Sequence, residues 1–212
     1  MTKQILVTAG NTWAPLDDVR VITNIFSGKT GLTIAYELAR RGFKVTLILA
    51  DCRLSLKPFR HKRLKILRAI DFASFYKTVR KEVKKEEYSS LIHCAAVSDF
   101  YLKKPKRGKI SSKKKLKLSL SRTRKIVNKV KKWDPNIRLI SFKLEATKSK
   151  RKLFKAALRS KALSGADFVV ANTLPQKNKS RFFLVKSKAQ FLRIIGRKAL
   201  AKKLARIFRN EL

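Results

Sequence analysis

The sequence predicts an α/β fold, one domain in which helices cover both faces of a mainly parallel sheet. Three observations predict it. Short apolar runs such as residues 4–8 (QILVT) and 44–49 (KVTLIL) read as strands buried on both faces. Between them, residues 29–41 place Leu32, Ala35, Leu38 and Ala39 at helical spacing. Strand and helix signals then alternate along the rest of the chain, which favours parallel pairing through helical crossovers.

Taken in order, residues 4–8 form the first strand, and a polar loop runs from Ala9 to about Gly28. The helix of 29–41 ends where Gly42 supplies a C-terminal cap. After the strand at 44–49 comes a third strand at 64–69. Asp71 then caps a helix that lines up Phe72, Phe75, Tyr76, Val79 and Val83 on one face. Residues 91–97 (LIHCAAV) read as a central strand. Residues 103–115 are dense in Lys and Arg, which excludes a core element and predicts a flexible basic flap. Leu116, Leu118 and Leu120 alternate with polar residues, as in a half-exposed strand. Helices at 126–133 and 152–163 alternate with strands at 139–144 and 168–171. A last strand at 181–185 and one amphipathic helix over 189–208 complete the reading.

Composition narrows the function. With 44% hydrophobic residues in 212, the chain can bury a core, and wholesale disorder is excluded. Charge is the anomaly: 54 Lys and Arg against 13 Asp and Glu leave a net +41. The cations are spread through every segment, helix backs such as 148–155 included, so they read as a general bias more than a dedicated surface. Nonspecific polyanion binding follows all the same. Two cysteines exclude a disulfide scaffold and imply a reduced, cytoplasmic setting. No signal peptide is visible. No apolar run approaches the roughly 18 residues that span a bilayer, so no membrane role is expected. Cys52, His61, His93 and Cys94 lack ligand spacing, and no metal site is expected from them.

Three motifs carry chemistry. Gly28-Lys29-Thr30 opens a helix like the tail of a P-loop, but Thr23 stands where the first P-loop glycine would be. Ser27, Gly28 and Gly31 still surround a helix N-terminus, where free N–H groups and the helix dipole favour phosphate. Gly10, just after the first strand, makes a small-residue turn that a nucleotide could approach, without the GxGxxG pattern of a standard dinucleotide site. Ala95, Ala96 and Asp99 end the central strand, on the edge where open α/β sheets bind ligands. Each feature alone also fits an ordinary turn, cap or close contact.

In their order along the chain, VTAGNTWAPLDDVRVITNIFSGKTG, AAVSDFYLKKPKRGKISS, ISFKLEAT and GADFVVAN resemble the phosphopantothenate–cysteine ligases (phosphopantothenoylcysteine synthetases). The resemblance runs from about Gln4 to about Lys188 and lacks the upstream flavin-dependent decarboxylase, which implies a free-standing ligase. It implies a modified Rossmann-like fold and a homodimer. It also implies a two-step reaction on 4'-phosphopantothenate and L-cysteine, with CTP expected ahead of ATP, and Mg²⁺ accompanying the triphosphate. By the same resemblance Gly10, Ser27, Gly28 and Gly31 cradle the nucleotide, Phe142 packs near its base, and Asn172 lies on the nucleotide side. Asn24, Ala95, Ala96 and Asp99 match contacts to substrate and intermediate, and Asp99 also matches a nucleotide contact. Arg20 matches an arginine that reaches the neighbouring site of the dimer, and Lys109 matches the flap lysine that closes over the acyl-nucleotide. Asn24 and Lys109 are the catalytic candidates.

The sequence departs from the family in three places. Ser160 and Ser164 stand where lysines are common, with Arg159 and Lys161 nearby. Lys125 stands where bacterial relatives carry an acidic residue, and the run 175–181 is short of the usual glycines. The competing reading is a basic nucleic-acid-associated protein on a degenerate nucleotide-binding scaffold. A short-chain oxidoreductase fails for want of GxGxxG and of a Tyr-x-x-x-Lys pair.

Overall fold

The computed structural model describes residues 4–113, 115–174 and 180–210. From the N-terminus the elements are β1 (Gln4–Ala9), β2 (Ala14–Pro15), β3 (Val21–Ile22), α1 (Lys29–Arg40), β4 (Lys44–Leu49) and β5 (Leu64–Arg68). There follow α2 (Phe72–Val83), β6 (Ser90–His93), β7 (Phe100–Tyr101), β8 (Ser121–Arg122), α3 (Val130–Trp133) and β9 (Arg138–Glu145). The last are α4 (Lys150–Ser164), β10 (Phe168–Thr173), β11 (Arg181–Val185), β12 (Phe191–Ile195) and α5 (Arg197–Asn210).

Eight strands make one sheet in the order β12-β11-β10-β9-β6-β1-β4-β5. The six from β10 to β5 pair in parallel, whereas β11 and β12 are antiparallel. The parallel part is the order of a Rossmann-like sheet. The chain moves outward from β1 through β4 to β5, then returns to lay β6 against the other side of β1. That reversal opens a crevice between β1 and β6 at their carboxyl ends. Alternate residues of each strand feed two apolar layers. Val7, Leu47, Ile92 and Ile140 pack with α1 and α5 on one face; Leu6, Ile48, Leu91 and Leu139 pack with α2, α3 and α4 on the other. Asp71 caps α2 by accepting the Ser74 N–H at 2.9 Å. Ser149, which the sequence reading did not single out, caps α4 through Lys152 N–H.

Five expectations are corrected. The strand expected at 91–97 stops at His93; the small residues beyond it leave the ladder and form the crevice edge. Residues 116–120 are not a strand. Leu116, Leu118 and Leu120 are exposed and pair with no strand among the described residues, and the next pair, Ser121–Arg122, joins Phe100–Tyr101. Residues 189–208 are not one helix: β12 occupies Phe191–Ile195, and Gly196 at φ 90° turns the chain into α5. β11 is therefore not the last strand; the β-branched pair Ile194–Ile195 continues the sheet instead. The loop expected over Ala9 to Gly28 contains the β2–β3 hairpin. Residues 175–179, most of the glycine-poor run noted above, and Lys114 of the flap lie outside the described residues.

Candidate nucleotide and acyl-transfer site

The crevice is built by close backbone contact. Gly10 turns at φ 83°, and a side chain there would meet the Asp51 carbonyl at 2.4 Å. Gly28 holds φ 76° at the N-cap of α1, its Cβ position 3.2 Å from the Gly10 Cα. Gly31 abuts β1, since a Cβ would lie 2.5 Å from that of Ala9. These contacts press the N-terminus of α1 onto the end of β1. The first turn of α1 contains no acidic residue and lines the crevice from Ser27 to Gly31, with Lys29 N–H donating to Ser27 Oγ at 3.4 Å.

The loop after β6 is stitched to the loop after β1. Ala96 N–H donates to Gly10 O at 2.8 Å, Thr12 N–H donates to Ala96 O at 3.3 Å, and Asn24 Nδ2 donates to the same oxygen at 3.0 Å. Ala95 N–H donates to Thr8 Oγ1 at 3.2 Å. The amides of both alanines are thus committed within the protein. What Ala95 and Ala96 offer a ligand is small side chains and close approach.

Over this crevice lies an open cavity of about 870 Å³. It brings together Gly10, Asn24, Ser27, Gly28, Gly31, Ala95, Ala96, Asp99, Phe142 and Asn172, ten of the twelve residues expected from sequence. Phe142 on β9 and Asn172 on β10 reach it because the parallel register sets both near the carboxyl ends of their strands. Asp99 is exposed and paired to Lys125 at 2.5 Å. The lysine that departs from the bacterial pattern therefore neutralises this carboxylate.

Arg20 and Lys109 are not among the cavity-lining residues. Arg20 donates through Nη2 to Ile110 O at 2.9 Å, within its own chain. The flap is docked on the β2–β3 turn: Gly108 N–H donates to Asp18 Oδ2 at 2.7 Å and Ile110 N–H to Asp17 Oδ2 at 2.9 Å. The Ile110 N–H, together with those of Val19 and Arg20, holds the Asp17 carboxyl below the usual range against the opposing effect of burial. Lys109 sits between these two anchors.

Sequence reasoning noted Arg159 only as a departure from the family and did not single out Lys152, Lys155 or Arg197 as site residues. Lys152, Lys155 and Arg159 on α4 line the cavity, at a spacing that puts them on one helix face. Arg159, one of the two cations near the displaced lysines, reaches the cavity. Lys161 does not; it lines a smaller cavity with Arg138 and Asp167 instead. Arg197 at the start of α5 also lines the main cavity and donates through Nε to Thr30 Oγ1 at 3.1 Å. The 3.6-residue period made the α4 set findable; Arg197 had no such signal because the α5 start was misplaced.

The half-buried Cys94 and the buried His93 complete the lining. Burial pushes the Cys94 thiol up to about 12, which leaves it protonated and inert despite nearby Arg197. Burial also pushes His93 down to about 4. The unfolded chain binds this proton near pH 6.5 and the folded chain does not, so stability is lost as pH falls through that interval. The loss should approach about 3 kcal/mol by pH 4. Urea unfolding at pH 7 and near pH 4.5 should show the drop in the native chain and a smaller one in His93→Gln; equal drops would refute it.

Among the described residues, no group of three His, Cys, Asp or Glu side chains could hold a metal ion, and no helix is long and apolar enough to cross a membrane. Cys52 and Cys94 are both free thiols.

Comparison with known proteins places this geometry. The chain is 36% identical over 210 residues to the coenzyme A biosynthesis bifunctional protein CoaBC of Thermococcus kodakarensis, covering 99% of this chain and 49% of that protein. It is 30% identical over 172 residues to the protein of the same name from Methanocaldococcus jannaschii, covering 81% of this chain and 40% of that one. The chain thus spans about half or less of the length of these relatives. The crystal structure of the DNA/pantothenate metabolism flavoprotein from Streptococcus pneumoniae superposes with a TM-score of 0.87 at 29% identity, covering 98% of this chain and 99% of that one. Residues 1–210 match the DNA/pantothenate metabolism flavoprotein C-terminal domain, and the chain belongs to that family.

Proposed function

We propose that the chain is a phosphopantothenate–cysteine ligase of coenzyme A biosynthesis, acting in the cytoplasm as one domain that carries a basic flap. The observation that carries this reading is the meeting of Asn24, Ala95, Ala96 and Asp99 with the glycine-lined α1 N-terminus in one cavity rimmed by cations. In the first step an oxygen of the 4'-phosphopantothenate carboxylate bonds to the α-phosphorus of the triphosphate. The bond to the β-phosphate breaks and pyrophosphate leaves. In the second step the cysteine nitrogen bonds to the acyl carbon. The bond to the phosphate oxygen breaks, nucleoside monophosphate leaves, and the amine gives up a proton.

Both steps gather negative charge, which the protein must offset. The α1 N-terminus and the α4 cations supply that offset around the phosphates. CTP comes ahead of ATP as the nucleotide because Asp99, matched to a nucleotide contact in bacterial forms, is retained at the cavity. The cavity carboxylates Asp99 and Glu145 are each paired with a lysine, so they do not form a resident metal site. Mg²⁺ would enter on the triphosphate it screens. The active unit is a homodimer, in which Arg20 serves the partner's site.

The test is an assay with 4'-phosphopantothenate, L-cysteine and either CTP or ATP, following pyrophosphate release and amide formation together. Release with neither nucleotide would refute the reading. On the same reading, Arg159→Ala should raise the nucleotide KM by about 10- to 100-fold, the scale of a lost charged hydrogen bond. Lys161→Ala should leave KM unchanged. Equal effects of the two would refute the assignment of the α4 face.

A further inference from the structure

The two loops commit their donors unevenly. The N–H groups of Ala95 and Ala96 are used within the protein, and Asn24 gives one N–H to Ala96 O. His93 differs. It lies at the carboxyl end of β6, lines the cavity, and is only 8% exposed. Its Nδ1 lies 3.0 Å from Thr8 Oγ1. That hydroxyl already accepts the Ala95 N–H, and its own hydrogen has His93 Nδ1 as acceptor among the described residues. The ring proton is thereby assigned to Nε2. Among the described residues Nε2 has no hydrogen-bond partner. A donor left open at a ligand edge, on a ring that is otherwise buried, is a strong feature once a ligand excludes water from it.

We propose that His93 is a further residue of the acyl-transfer chemistry: its Nε2–H donates to the acyl oxygen as that oxygen gains negative charge during attack by the cysteine amine. The proposal rests on the ligase reading and deepens it. The balance is simple. As nitrogen adds, the carbonyl π-electrons move onto oxygen; when the phosphate leaves, they return. His93 donates a hydrogen bond throughout and transfers no proton. Burial keeps the ring uncharged at neutral pH, so it resembles a neutral imidazole electrophile more than an acid or base. Thr8 is the positioning residue, because it fixes the tautomer and the ring plane.

Two substitutions separate this role from a purely structural one. Asparagine reproduces the Nδ1 side of the ring and reaches Thr8, but it does not reach the Nε2 position. Glutamine places an N–H donor near Nε2 and gives up the Thr8 contact. Each folded variant is loaded with 4'-phosphopantothenate and CTP or ATP, whichever the native chain uses, then chased with cysteine in a single turnover. His93→Asn should slow amide formation by roughly 10²-fold, the scale of one lost oxyanion donor, while His93→Gln stays within about 10-fold of the native rate. Pyrophosphate release before the chase should change little in either. With only two histidines in the chain, ¹⁵N-histidine spectra should also show the His93 Nε2–H tautomer in the free protein. A native chain that turns over while His93→Asn matches it, or while His93→Gln is the slower variant, overturns the role of His93 alone. A native chain that releases no pyrophosphate overturns the ligase reading and this proposal with it.

Discussion

Asn24→Asp is expected to stop the reaction between its two steps. Each site should release pyrophosphate once, acyl-nucleotide should accumulate, and amide product should fall by roughly 10²–10³, the cost of removing a donor from a developing oxyanion. Asn24 sits where the N-terminus of α1 meets the Ala95–Ala96 edge, and its Nδ2 donates to Ala96 O at 3.0 Å. The second N–H and the Oδ1 remain for the acyl oxygen and the incoming amine. Ionised aspartate has no donor at all. It would set a carboxylate against the Ala96 carbonyl and against the forming oxyanion. Activation by the triphosphate draws on the helix N-terminus and the α4 cations, and so should be spared. Asn24 does not cap α1, because Gly28 is the N-cap and no side chain bonds there. A fall in stability through lost capping is thus no rival explanation. Rapid-quench analysis of both products decides the matter: if the two steps fall together, or neither falls, Asn24 has no special part in amide formation.

Lys109→Gln is expected to act on the other step, slowing acyl-nucleotide formation by roughly 10²–10³ with the nucleotide KM nearly unchanged. The reason for the split is where the lysine rests. It is exposed, and its neighbours Gly108 and Ile110 are tied to Asp18 and Asp17 on the β2–β3 turn, outside the cavity lining. Ground-state binding of the nucleotide therefore does not depend on it. On the proposed reading, the flap leaves the aspartates and closes, bringing the ammonium to the phosphorus centre and excluding water from a hydrolysable intermediate. A pre-steady-state burst of pyrophosphate equal to that of the native chain would refute the role. A raised KM with native kcat would assign Lys109 to binding instead.

Much of this was legible in the sequence, for identifiable reasons. Strands buried on both faces read as continuous apolar runs, so β1 and β4 were plain, and α1 showed a strict 3.6-residue stripe. The glycines announced tight backbone positions, and the order of the motifs carried the family resemblance. The local signals failed where two structures share one composition. The Leu116–Leu120 alternation has the pattern of a strand, yet pairing needs a neighbour with free backbone groups, and none of the described residues of the chain supplies one there. Residues 191–195 could serve a helix or a strand by pattern; pairing with β11 decided for the strand.

The sequence by itself determined the fold class and the element types along most of the chain, because burial and backbone freedom leave local marks; of the ten expected residues that meet in the cavity, Asn24, Phe142 and Asn172 came only from the family resemblance. Only the tertiary structure decided what those residues are free to do. It showed Lys125 neutralising Asp99, Arg20 and the flap held on the hairpin, Arg159 facing the cavity while Lys161 faces away, and His93 fixed by Thr8. Each of these turns on a hydrogen bond or ion pair between residues far apart in the chain, or on which side of a helix faces the sheet. No local pattern encodes such pairings, since they exist only once the sheet has brought its strand ends together.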